Sequence, residues 1–357
     1  MSMLIQTSIF LGAAVCAVPL FKRLGLGAVL GYVAAGIAIG PWALGLVGEV
    51  ENILHFAEIG VVMLLFIIGL ELQPSRLWVL RKSVFGLGAV QVGVTALVIA
   101  LLARATGLPW SAAIIIGLGL SLSSTAFALQ ILAEKNQLTT RHGRSAFSIL
   151  LFQDLVVVPV LAVVPLLSPD ATRAYSSDPW VGAVSALGIV IAVVVVGHFL
   201  VGRAFKFIAA TGIREVFTAA SLLLVIGTGL LLESAGLSMA LGAFLAGVLL
   251  ADSEYRHALE ADIEPFKGLL LGLFFIAVGM YLDLGLVLEH PALAVGLALA
   301  LLLGKFVLIA ILGVATDKGL DASLKLGAVI AQGGEFAFVI FSAAIGAGAL
   351  DTETAAL

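Results

Sequence analysis

Asp154 stands in the stretch Leu150-Leu151-Phe152-Gln153-Asp154-Leu155-Val156-Val157-Val158, where it is the only charge. A carboxylate in so apolar a setting is expensive unless it holds a proton or a cation. Its neighbour Gln153 offers a neutral amide oxygen. A second apolar stretch carries Ser121-Leu122-Ser123-Ser124-Thr125, which brings the hydroxyls of Ser123, Ser124 and Thr125. A third carries Gln332-Gly333-Gly334-Glu335, and a fourth holds Lys305 between Gly304 and Phe306. Carboxylate, amide and hydroxyl oxygens are hard ligands that suit an alkali cation. One carboxylate binds either that cation or a proton, so competition for Asp154 is the minimum chemistry of cation/proton exchange.

The elements that position these groups follow from composition. Of 357 residues, 62% are apolar and 11% charged, against about 25% charged in an ordinary soluble domain. The 40 glycines also exceed what water-exposed helices tolerate. This excludes a single-domain soluble enzyme, a nucleic-acid binder and a disordered chain, and leaves an all-α polytopic membrane protein. The single cysteine, Cys16, excludes a disulfide framework and a thiolate metal site.

Twelve apolar segments of spanning length are expected, near 3–21, 27–47, 54–73, 83–104, 109–133, 143–166, 180–202, 214–233, 236–252, 265–283, 290–313 and 322–348. No basic residue precedes the first, so it reads as a span and not as a cleaved leader. Of the 18 lysines and arginines, all but Arg104, Arg173 and Lys305 fall on the side reached after the first span. That side is cytoplasmic by the positive-inside rule, and the N-terminus is periplasmic.

The sequence also resembles itself. Leu30-Gly31 and Ala35-Gly36 match Leu241-Gly242 and Ala246-Gly247, Gly69 and Leu72 match Gly279 and Leu282, and Gly117 matches Gly327, all at an offset of 210 or 211. The offset covers seven spans, an odd number, so the copies (roughly 27–166 and 236–357) have inverted topology, as in secondary transporters. Span 6 then has a partner starting near residue 353, the beginning of a thirteenth helix. The same offset lays the polar break of span 5 on that of span 12. Paired interrupted helices mark a transporter's binding site, their carbonyl ends suited to a cation and Glu335 placed to neutralise a positive helix end. Lys305 reads as an ion-pair partner for helix packing, Glu58 and Glu71 as interfacial groups, and His198 as a passive, snorkelling side chain.

Several stretches resemble the monovalent cation:proton antiporter family 2. They are Gly31-Tyr32 through Gly40-Pro41, Phe152-Gln153-Asp154-Leu155, and Ala331 through Phe338. The run GLSMALGAFLAGVLLADSEYRHALEADIEPFKGLLLGLFFIAVGM, from Gly236 to Met280, is similar to the Kef-type glutathione-gated potassium efflux systems of Gram-negative bacteria. The resemblance implies a sodium/proton-antiporter-like fold of thirteen helices with two broken crossing helices. It implies a homodimer in the bacterial inner membrane and elevator-like alternating access. Asp154 and Gln153 would bind the transported potassium or proton. A loop from His257 to Pro265, with Glu260, Asp262 and Glu264, would receive a gating signal from a cytoplasmic regulatory domain or ancillary subunit. No GxGxxG occurs, so no cofactor is expected in this chain; nucleotide and glutathione would bind that separate domain. The acids of this loop read as a docking surface for a basic partner. A sodium/proton antiporter of the same fold and a gated cation channel are the alternatives; no TVGYG-like filter is present. An intramembrane protease would have only Ser238 and His198 to work with.

Overall fold

The computed structural model describes residues 3–47, 50–71, 81–168, 179–234, 238–282, 284–316, 319–351 and 354. Among them the long regular elements are all helices: α1 (Met3–Arg23), α2 (Gly27–Ile39), α3 (Val50–Glu71) and α4 (Lys82–Ala105), then α5 (Trp110–Ser121), α6 (Thr125–Glu134), α7 (Arg141–Val163) and α8 (Pro179–Ala209). They continue with α9 (Arg214–Glu233), α10 (Met239–Leu250), α11 (Arg256–Tyr281), α12 (Pro291–Ala315), α13 (Leu320–Ile330) and α14 (Phe336–Gly346). Among the described residues eight spans are long and apolar enough to cross a membrane, the α5–α6 pair counting as one, and four further apolar helical stretches, one of them Ile59–Glu71 of α3, are shorter, at 10–17 residues. The expected start of a thirteenth helix and the side chains of Glu58 and His198 lie outside the described residues.

The expected segment 27–47 forms a helix only as far as Ile39, where Gly40 turns the chain out at ψ 177° ahead of Pro41. Proline disfavours helical backbone in the residue before it. The expected loop from His257 to Pro265 is corrected: it is the first part of the 26-residue helix α11. Arg, Ala, Leu and Glu are good helix formers. Leu259 and Ile263, four apart on this turn, are both fully buried. The acids hid this amphipathic pattern in a stretch whose charge reads as loop.

The chain forms two compact, discontinuous units. The first, residues 1–73 with 172–285, holds α1–α3 and α8–α11. Its core packs Phe66 and Leu70 of α3, Val225 of α9, Ala243 and Ala246 of α10, and Leu259 and Ile263 of α11. Helices in lipid associate by close backbone approach, which small residues permit. A Cβ on Gly36 of α2 would strike the Ile276 carbonyl of α11, and one on Gly279 of α11 would strike the Val33 carbonyl. The α3–α10 pair meets likewise, Gly247 against the Phe66 carbonyl and Gly69 against the Phe244 carbonyl.

The second unit, residues 74–171 with 286–355, holds α4–α7 and α12–α14. Ala128 and Leu132 of α6, Ile149 and Leu150 of α7, Ile309 of α12, and Leu326 and Ile330 of α13 form its core. Gly117 of α5 packs against the Ala96 carbonyl of α4, and Gly327 of α13 against the Phe306 carbonyl of α12. Leu293, Leu299, Leu303 and Ile311 of α12 are exposed. That is the inverse of a soluble helix and the pattern of one that faces lipid.

Candidate functional site

The site lies within the second unit, where two interrupted helices meet. Leu122–Ser124 separate α5 from α6, and residues 331–335 separate α13 from α14. Each break exposes backbone carbonyls at one helix end and N–H groups at the next, and in a membrane each needs a partner. The two breaks supply partners to one another. Gly334 N donates to the Leu122 carbonyl at 3.2 Å, Ser123 Oγ to the Ile330 carbonyl at 2.7 Å, and Gln332 Nε2 to the Ser124 carbonyl at 3.2 Å. Gly334 is glycine because a Cβ there would meet the Ser123 backbone at 2.8–3.1 Å.

Lys305 of α12 is 1% exposed. Its Nζ donates to the Leu122 carbonyl at 2.7 Å, the Gln332 carbonyl at 2.9 Å and Ser123 Oγ at 3.3 Å. The ammonium thus sits on the carboxy-terminal ends of both α5 and α13, where the helix dipoles are negative and the carbonyls orphaned. Its hydrogen-bond partners are two carbonyls and a hydroxyl, where the sequence suggested an ion pair.

The amino-terminal ends of the second half-helices carry the acids. Thr125 opens α6, and its Oγ1 donates to the Asp154 carboxylate of α7 at 3.0 and 3.3 Å. Asp154 is half-buried. Glu335 occupies the N-cap position of α14 and is also half-buried, with no side-chain capping bond. Negative charge at a helix N-terminus is favourable. Cation on the two C-termini and acids beside the two N-termini is one electrostatic scheme applied to both breaks. Ser124 Oγ caps α6 by accepting from Phe127 N at 3.4 Å.

Gln153 is fully buried. Its Oε1 accepts from Ser123 N at 2.8 Å, and its Nε2 donates to Gln91 Oε1 at 2.8 Å. Gln91 of α4, also fully buried, donates to Thr95 Oγ1 and the Ser121 carbonyl, both at 3.3 Å. Sequence reasoning overlooked Gln91 because it searched for ionisable groups. A lone amide between Val90 and Val92 was signal enough. One buried acceptor at the crossing, Gln332 Oε1, has no hydrogen-bond partner. No cluster of three or more His, Cys, Asp or Glu side chains occurs among the described residues.

The proposed regulatory residues belong to the first unit, on α11. His257 and Glu260 lie 3.7 Å apart, and Glu264 pairs with Lys267 at 2.8 Å. Asp262 differs from them: it is buried, and its Oδ2 accepts from Thr218 Oγ1 of α9 at 2.6 Å. It is therefore removed from the expected docking surface. Ser238 caps α10 by accepting from Leu241 N, a structural role that accounts for its presence there.

Interrupted membrane helices that cross beside a half-buried carboxylate define a secondary transporter. The family described as "Sodium/hydrogen exchanger, transmembrane" matches residues 10–357, and the chain belongs to it. It is 52% identical over 352 residues to the glutathione-regulated potassium-efflux system protein KefC of Cronobacter sakazakii and to that of Escherichia coli K12. Each match covers 99% of this chain and 57% of the relative, so the chain spans little more than half their length. The solved sodium proton antiporter MjNhaP1 of Methanocaldococcus jannaschii shares the fold, with a TM-score of 0.66 at 16% identity over 96% of this chain and 86% of that one. These relatives are transporters, not enzymes.

Proposed function

We propose that the chain exchanges potassium for protons across the bacterial inner membrane by alternating access around Asp154. The observation that carries this is the Asp154 carboxylate, held by Thr125 Oγ1 at the amino-terminal end of a broken helix. Potassium or a proton, but not both, balances that charge, so loading one requires release of the other. Potassium in preference to sodium rests on the 52%-identical relatives, which are potassium-efflux system proteins. Thr125 positions the carboxylate, Ser123 and Ser124 join the breaks, Lys305 fixes both helix ends, and Glu335 neutralises the second positive end. Gln153, whose amide is engaged on both sides, serves the exchange chiefly as framework.

Twelve complete spans in two inverted copies remain the reading that the contacts favour. The approach of Gly36 to α11 is repeated, 211 residues on, by that of Gly247 to α3. Gly69 and Gly279 repeat it at 210, and so do Gly117 on the Ala96 carbonyl and Gly327 on the Phe306 carbonyl. A homodimer with a periplasmic N-terminus, gated through His257, Glu260 and Glu264 by a cytoplasmic regulatory domain that carries the nucleotide and glutathione sites, completes the proposal.

The test is potassium-dependent proton flux in proteoliposomes. Asp154→Asn keeps the hydrogen-bonding shape and removes the exchangeable charge, so flux falls to the empty-liposome level. Near wild-type flux in that variant refutes the assignment. Potassium current without proton movement in the unaltered chain would instead select the channel alternative.

A further inference from the structure

A cavity of the second unit lies among α4, α7 and the end of α12. Its volume is about 790 Å³, and Lys82, Ser83, Gly86, Leu87 and Val90 of α4, Arg141, Arg144, Ser145 and Ser148 of α7, and Thr316 after α12 line it. Three of these are cations, and no carboxylate is among them. Among the described residues no ion pair is made by Lys82, Arg141 or Arg144, whereas Lys325 and Lys267 are paired. The lining hydroxyls of Ser145, Ser148 and Thr316 donate to carbonyls of their own helices. Their lone pairs, which an anion does not seek, therefore add little, and the charge of the cavity is set by the three cations.

Its wall has a second character. The first seven residues of α4, Lys82–Gly88, form a π-helix, a wide turn that recurs at functional sites. Gly86 within it faces open space. Beyond the cations the wall turns apolar through Leu87 and Val90. From there an exposed stripe runs down α4 through Val90, Leu97 and Leu101, at 47%, 58% and 49% exposure. Spacings of seven and four place these three on one helix face. A cationic mouth above an apolar stripe has the dimensions and polarity of an anionic phospholipid. Basic pockets between membrane helices on the cytoplasmic side bind such headgroups, and arginine pairs with phosphate through two hydrogen bonds at once.

We infer that this cavity is a binding site for one anionic phospholipid, its phosphate among Lys82, Arg141 and Arg144 and an acyl chain along Val90, Leu97 and Leu101. Bound there, the lipid ties the ends of α4, α7 and α12, the helices that carry Gln91, Asp154 and Lys305. A ligand that binds only the folded state stabilises it by RT ln(1 + L/Kd) at free ligand concentration L, so the melting temperature climbs with ligand concentration.

The experiment measures thermal unfolding of the detergent-purified chain with added phosphatidylglycerol, phosphatidylcholine or inorganic phosphate. Phosphatidylglycerol should raise the melting temperature progressively with its concentration, and the other two should not. The combined variant Lys82→Gln, Arg141→Gln, Arg144→Gln should lose the shift. Gly86→Leu keeps all three cations, and its Cβ meets no neighbour within 4 Å, while its side chain takes up space in the cavity; it should weaken the shift as well, which guards against misfolding of the triple variant. An undiminished shift in Gly86→Leu would overturn the inference, since the lipid would then be acting as an unspecific annulus. So would an equal shift with inorganic phosphate, which would make the site one for free anions.

Discussion

At the scale of single residues, the crossing works by division of labour among polar groups, nearly all of them partnered, with Gln332 Oε1 the exception. Lys305 joins two helix ends through carbonyls. Lys305→Gln keeps a donor but removes the charge that opposes both dipoles, so it should cost on the order of 1–3 kcal/mol. It should lower the melting temperature and leave measurable exchange. Complete loss of exchange in a well-folded Lys305→Gln protein would mean that the ammonium takes part in transport. Gln91 supports Gln153 in the same manner. Gln91→Leu strands the Gln153 amide in a buried place, a penalty of about 1–3 kcal/mol, and should reduce both stability and flux. Unchanged stability in Gln91→Leu would show that the network tolerates a missing member.

At the scale of elements, the breaks and the glycine contacts matter most. α2 and α11 approach until backbone meets backbone at Gly36 and Gly279. Gly36→Val should prevent folding or depress the yield of membrane-inserted protein, whereas a residue added at Gly12, which faces open space, should not. Equal expression of both variants would argue against a rigid α2–α11 contact. On α11, neutralising Glu260 and Glu264 together should leave stability within about 0.5 kcal/mol, because partly exposed pairs contribute little. Asp262→Asn weakens the buried bond to Thr218 and should lower the melting temperature measurably. The reverse ranking would return Asp262 to the surface.

At the scale of the whole molecule, the charge asymmetry makes a topological prediction. With Cys16 replaced by serine, cysteines at Ala105 and Lys135 flank the broken span on opposite sides. A membrane-impermeant thiol reagent added outside intact cells should label Ala105→Cys and spare Lys135→Cys until the membrane is opened. Labelling of Lys135→Cys first would invert the orientation. Both positions are exposed, so protection cannot come from burial within the protein.

The sequence by itself determined the membrane class, the positions of both helix breaks and the carboxylate at issue. Apolar run length, glycine content and the isolation of Asp154 are local properties that a bilayer makes decisive. It also carried the 210-residue offset, since small residues must recur wherever backbones meet. Only the tertiary structure decided which polar atoms pair. Gln153 faces Ser123 and Gln91, Lys305 faces carbonyls of two helices, and Asp262 turns inward to Thr218 while Glu264 pairs with Lys267. Those partners lie from 3 to 183 positions apart in the chain. A hydrogen bond depends on ångström distances between groups that helix packing brings together, and apart from the i,i+3 pair Glu264–Lys267 no spacing along the sequence encodes them.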